Sequence, residues 1–166
     1  MCGIVGGVTN KDIIPLLLDG LKRLEYRGYD SSGLVTLSQN NKLVRERAVG
    51  KVINLKKKLK LNKNKIEGTI GLAHTRWATH GEPSDKNAHP HISKNSISVV
   101  HNGIIENYLD LKDSQIEQGY EFTSETDTEV IAHAIDFAMQ SSNSLLDATQ
   151  KVIKTLYGSY GIGVIS

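Results

Sequence analysis

Strand-forming residues begin at the third position. Gly3 to Val8 (GIVGGV) is β-branched and glycine-rich, and it reads as a buried strand almost at the start of the chain. Its glycines let another backbone or a ligand approach closely. Asp12 to Leu24 then reads as a helix, with Ile14, Leu17, Leu18, Leu21 and Leu24 on one apolar stripe. Pro15 is tolerable only near a first turn, so that helix should begin close to Asp12, and Arg27-Gly28 closes it. Gly33–Leu37 and Leu43–Val49 read as a hairpin around Gln39-Asn40-Asn41. Further strands are expected at Thr69–Arg76, Ser96–His101 and Tyr160–Ser166. Helices are expected at Ile104–Gln118, Ser124–Gln140 and Leu145–Leu156, the second with Val130, Ile131, Ala134, Phe137 and Ala138 on one face. Mixed strands and helices with hairpin-like pairs predict a layered α/β or α+β body.

The composition excludes several classes. With 166 residues, the chain is long enough for one sizeable core, and length alone favours one domain. A formal net charge of +2 gives no electrostatic mandate for nucleic acid or an anionic membrane. Lys51–Lys65 carries seven lysines, but Val52, Leu55 and Leu59 sit at helical spacing and no aromatic is present to stack a base. That segment therefore reads as a short helix with a solvated lysine face. The longest apolar stretch, Ile13–Leu18, is too short to span a bilayer. Cys2 is the single cysteine, which rules out an internal disulfide and makes a reducing cytosol the expected compartment.

Four constellations could carry chemistry. Removal of Met1 would leave Cys2 with a nucleophilic thiol and an α-amine that can act as a base near neutral pH. The rigid-looking strand after it would anchor that terminus. His74-Thr75-Arg76-Trp77-Ala78-Thr79-His80-Gly81 lies where a strand enters the long polar loop Trp77–Asn95. There Arg76 offers a fork for a carboxylate, and Trp77 could line a pocket. His101-Asn102-Gly103, at a strand end before a helix, offers an amide and a backbone N–H as oxyanion donors, although Asn-Gly also makes ordinary turns. Ser124-Glu125-Thr126-Asp127 reads as a capping box, yet its carboxylate could equally meet an ammonium. His89-x-His91 and His74-x5-His80 could converge on a metal, but no cysteine pair or His-Glu-x-x-His supports one.

Taken together these motifs resemble a known family. Met1-Cys2-Gly3-Ile4-Val5-Gly6 and Arg23 to Ser31 look like the start of a class II glutamine amidotransferase. His74–Ser84, Asn87–His91, Val99–Asn107 and Ser124–His133 narrow the resemblance to the glutaminase domain of the glutamine–fructose-6-phosphate aminotransferases (isomerizing), the glucosamine-6-phosphate synthases. It implies an N-terminal nucleophile hydrolase fold, a four-layer αββα sandwich. It also implies that Cys2 attacks L-glutamine to release ammonia through a glutamyl thioester, with no cofactor and no metal. Asn102 and Gly103 would hold the oxyanion. Arg76 would pair with the α-carboxylate and Asp127 with the α-ammonium, while Thr79 and His80 line the pocket. Trp77 would sit on a mobile gating loop, and Arg27 near the nucleophile. In that family the domain runs past the position of Ser166 and a sugar-phosphate isomerase half receives the ammonia, in a homodimer. Residues 1–166 are therefore expected to be an incomplete glutaminase domain without that half.

Overall fold

A computed structural model describes residues 2–38, 40–62, 66–78 and 80–166. Among these residues, seven strands form two antiparallel sheets. The first, in the order β1-β4-β2-β3, contains β1 (Gly3–Val8), β2 (Ser31–Leu37), β3 (Leu43–Val49) and β4 (Ile70–Arg76). The second, in the order β5-β6-β7, contains β5 (His91–Ser93), β6 (Ile97–Ile105) and β7 (Gly158–Ile165). The inner faces of β1 and β4 meet β6 and β7. Helices α1 (Ile14–Leu24) and α2 (Val52–Leu61) cover the first sheet. Helix α4 (Glu129–Met139) lies on the second, with α3 (Tyr108–Glu117) and α5 (Leu145–Ile153) packed beside it. The four expected layers are present.

Two apolar cores result, one on the outer face of each sheet. Ile13, Leu17 and Leu21 of the first helical region meet Leu34, Ala73, Val52 and Leu55. Ile97, Val99 and Ile105 meet Val130, Ile131, Ile135, Ala148 and Val152. The lysine-rich segment forms α2 as expected, with Val52 and Leu55 inward and Lys56, Lys57 and Lys60 exposed. Lys63 and Lys65 lie outside the described residues.

Several boundaries differ from expectation for long-range reasons. GIVGGV forms an edge strand and is only half-buried. The close neighbours of its glycines are side chains rather than a backbone or a ligand: a Cβ at Gly3 would meet Leu24 at 2.8 Å, and one at Gly6 would meet Leu72 at 2.7 Å. The loop Trp77–Asn95 contains β5, which pairs with β6 from His91↔Val99 to Ser93↔Ile97. Strand β6 continues through Asn102-Gly103 to Ile105, so the helix expected from Ile104 starts at Tyr108. On α4, Ala132 and Ile135 turn inward, while Phe137 is 50% exposed.

The capping box is not formed. Helix α4 begins at Glu129, whose carboxylate turns back into the preceding segment. It accepts the backbone N–H of Thr123 (3.1 Å) and of Ser124 (2.7 Å) and the hydroxyls of Thr123 (2.8 Å) and Ser124 (2.6 Å). Burial raises the carboxyl pKa, but these donors outweigh it and hold Glu129 below the ordinary carboxylate value. Glu129→Gln would present an NH2 group to donors, so it is expected to cost about 2–3 kcal/mol in urea unfolding.

Candidate active site

Cys2 precedes β1 and lies beside the end of β4, the neighbouring strand of its sheet. The Trp77 backbone N–H donates to Cys2 Sγ at 3.1 Å, and Sγ lies 3.5 Å from Trp77 O. Trp77 is in turn fixed from below. Its indole lies over Gly28, where a Cβ would come within 2.6 Å of the ring and φ is +107°. Asp30 holds the next residue by accepting the Ala78 N–H, and its Oδ1 accepts the Ser31 hydroxyl at 2.7 Å. Asp30 lies within the run Arg23 to Ser31, and its anchoring role depends on a contact far along the chain.

Two depressions share Cys2 and Trp77. The wider, about 660 Å³, is lined by Arg27, Asn102, Gly103, Ile104 and Tyr160 among others. The narrower, about 10 Å³, offers room for about one water and is lined by Arg76, His80, His101, Thr126 and Asp127 among others. The structure thus brings Cys2, Arg27, Arg76, Trp77, His80, Asn102, Gly103 and Asp127 to one place. Thr79 lies outside the described residues.

Asn102 and Gly103 occupy strand positions rather than a turn, opposite Gly161 and Tyr160 of β7. The Asn102 side-chain NH2 faces the Cys2 carbonyl at 3.4 Å. Gly103 has φ +125°, and a Cβ there would fall 2.1 Å from Ser159 O, so only glycine fits. Arg76 is buried, and its guanidinium donates to the carbonyls of His80, Gly81 (3.0 Å) and Glu82 (3.5 Å), with Asp30 Oδ1 at 3.7 Å. Asp127 Oδ2 accepts the Ile105 N–H at 2.9 Å. Its Oδ1 faces two imidazoles, His80 and His101, each at 3.9 Å. Asn87, which opens the Asn87–His91 motif and lies in the long loop, is a buried hub. It donates to Glu82 O and Glu125 Oε2, both at 3.0 Å, and accepts the Glu125 N–H at 2.9 Å, joining the loop to the Asp127 segment.

The histidines converge in part. The rings of His74 and His89 are 4.2 Å apart and those of His89 and His91 4.8 Å, whereas His80 packs edge-on against Tyr108 at 5.1 Å instead. Among the described residues, no group of three or more His, Cys, Asp or Glu side chains could hold a metal ion. The rings contact hydroxyls and carbonyls instead: Thr128 Oγ1 bridges His89 Nε2 (2.6 Å) and His101 Nδ1 (2.9 Å), and Thr126 Oγ1 meets His91 Nε2 (3.0 Å). Burial pushes His74 down to about 4. Burial also pushes His89 and His91 well below the ordinary histidine value, aided by nearby imidazoles and arginines. His101 is lowered by burial against the opposing pull of Asp127.

The geometry agrees with three comparisons. In the solved structure of the glutamine phosphoribosylpyrophosphate amidotransferase from B. subtilis, 34% of that chain superposes on 99% of this one, with TM-score 0.75 and 27% identity. The fold is that of the N-terminal nucleophile hydrolases of the class II glutamine amidotransferase type. Residues 74–166, more than half of the chain, match the glutamine amidotransferase domain, and the chain belongs to that family. It is 56% identical over 99% of its length to the glutamine–fructose-6-phosphate aminotransferase (isomerizing) of Acinetobacter baylyi, and 52% identical over its whole length to that of Pseudomonas putida. The chain spans about a quarter of those relatives, 26% and 27% respectively. No helix among the described residues is long and apolar enough to cross a membrane.

Two predictions follow from this geometry. Gly103→Ala is expected to lower unfolding stability by about 2–3 kcal/mol, read by urea denaturation, because it adds backbone strain to a clash with β7. Stability should also fall with acid. Unfolded histidines take up protons below about pH 6.5, while the buried rings resist, so the unfolded state gains protons first and stability drops as pH falls. For His74, moving the proton affinity from 6.5 to about 4 is worth roughly 3 kcal/mol, present in full above pH 6.5 and lost as pH approaches 4. Thermal unfolding at steps between pH 7.5 and 4 checks this, and a flat Tm would contradict it.

Proposed function

We propose that this chain is the glutamine-hydrolysing part of an enzyme that makes glucosamine-6-phosphate and glutamate from fructose-6-phosphate and glutamine. With Met1 removed, the Cys2 α-amine takes the thiol proton and the sulfur attacks the side-chain carboxamide carbon of L-glutamine. The carbonyl oxygen becomes an oxyanion facing the Asn102 side-chain NH2 and the Gly103 N–H. The C–N bond breaks as nitrogen accepts the proton from the α-amine, releasing ammonia and leaving a glutamyl thioester. Water then adds to the thioester, giving glutamate and the free thiol. Arg76 binds the α-carboxylate and Asp127 the α-ammonium, Thr79 and His80 line the pocket, Trp77 gates it and Arg27 borders the nucleophile.

One observation carries this reading: Cys2 lies at the junction of two depressions, with an amide donor on one side and an arginine–aspartate pair on the other. The zwitterionic end of glutamine needs one cation and one anion, and a carboxamide under attack needs a nucleophile and oxyanion donors. The 52–56% identity to the aminotransferases, against 27% to the phosphoribosyl enzyme, favours fructose-6-phosphate as the acceptor system. Ammonia then passes to a sugar-phosphate isomerase half, in a homodimer of the full-length kind, and a reducing cytoplasm suits a catalytic thiol. No nucleic acid, membrane, metal or organic cofactor enters the chemistry.

The test is intact mass after exposure to 6-diazo-5-oxonorleucine, alongside glutaminase assays. A single adduct on a Met1-free chain, absent from Cys2→Ala, is expected, and Cys2→Ala should abolish hydrolysis while leaving the thermal transition in place. Turnover retained by Cys2→Ala would overturn the assignment.

A further inference from the structure

The proposed reading gives Asn102 two faces that differ in consequence, because a side-chain amide can turn over and present either oxygen or NH2 to Cys2. We infer that His74 is a positioning residue that locks the Asn102 amide with its NH2 toward the nucleophile, which rests on the glutaminase reading for its catalytic consequence.

His74 stands on β4 of the first sheet and reaches across to β6 of the second. Its Nε2 lies 3.0 Å from the His101 backbone carbonyl and 2.8 Å from Asn102 Oδ1. A backbone carbonyl can only accept, so Nε2 carries the proton. That N–H cannot face a second donor, so the atom of Asn102 turned toward it must be the oxygen. The NH2 is thereby turned the other way, where it meets the Cys2 carbonyl at 3.4 Å. One proton on one ring nitrogen decides which end of the amide faces the reacting centre.

The surroundings keep that proton in place. His74 is fully buried, with His89 stacked at 4.2 Å and Arg76 and His101 nearby, so a second proton on the ring is opposed by burial and by these neighbours. Nδ1 has no hydrogen-bond partner among the described residues, so nothing there draws the proton off Nε2. Stability alone would not require this arrangement, since an aliphatic side chain could fill the same gap between the sheets.

The experiment compares His74→Leu, which fills the space without a donor, with His74→Gln, which restores an N–H. His74→Leu is expected to lower kcat for glutamine hydrolysis about 10²-fold with KM changed less than about threefold, since oxyanion donors act on the transition state. His74→Gln should recover at least about tenfold of that loss. The double variant His74→Leu/Asn102→Ala should be no slower than Asn102→Ala alone, because both remove the same donor. Additive losses, or a loss confined to KM, would overturn the inference. Nitrogen NMR of the wild-type chain gives a readout independent of turnover. A neutral Nε2–H ring at pH 7, with Asn102 NH2 signals that move in His74→Leu and return in His74→Gln, supports it. An Nδ1–H ring, or Asn102 signals indifferent to residue 74, refutes it. A wild-type chain without glutaminase activity would count against the function proposed above, and NMR would still decide the amide's orientation.

Discussion

Where β4 faces β6 beside Cys2, the gap between the sheets is filled by imidazoles rather than by aliphatic side chains. An imidazole between sheets must be neutral, because burying a charge there without a partner is far costlier than losing a proton. A neutral ring has one donor and one acceptor nitrogen, so each can be tied by a single well-placed group. Thr128 ties His89 and His101 through one hydroxyl, and a hydroxyl has one proton to give. When it donates to one ring it can only accept from the other, so the two tautomers are linked. His74 is tied separately, to the backbone and amide of β6. The layer therefore fixes orientation as well as distance, which an apolar layer of equal volume could not do.

The loops that carry the site have little regular structure, and their backbone groups are satisfied by a few side chains from elsewhere. Glu129 gathers the segment before α4, Asn87 joins it to the loop after β4, and Asp30 holds Ala78. Arg47 of β3 adds the carbonyls of Lys86 and Ala88, at 3.0 and 2.9 Å. Each of these residues acts at a sequence separation that local pattern cannot foresee. Together they set Trp77 N–H on the sulfur and Asp127 against the second sheet.

Periodicity therefore revealed the parts of the molecule that face an outer layer and little of what lies between the sheets. The stripe of α1 and the lysine face of α2 were legible because one side of each meets apolar neighbours and the other meets water. The local preference of Asn102-Gly103 allowed an ordinary turn beside the oxyanion reading. Pairing with β7, which follows some sixty residues later, overrides that preference. Ser124 and Asp127 had capping spacing, yet Glu129 captured the donors first and left Asp127 free to bond Ile105. Three-residue β5 has too few residues to show a period and exists only because β6 is there to pair with it. Motif resemblance singled out residues that the fold gathers around Cys2, while His74, Asn87 and Asp30 became meaningful only when their distant partners were known.

The narrow depression beside Arg76 adds a consequence for substrate entry. Its guanidinium already holds the carbonyls of His80, Gly81 and Glu82, and the space it borders is far smaller than an amino acid. Under the proposed reading, a substrate carboxylate must compete with these carbonyls for the same fork. A carboxylate is the stronger acceptor, since it adds an opposite charge and a two-oxygen match to the planar guanidinium fork. Binding then releases the segment 80–82 from Arg76 and opens the space by the same exchange. The cost of that release is drawn from binding energy, so it discriminates against ligands that lack a carboxylate.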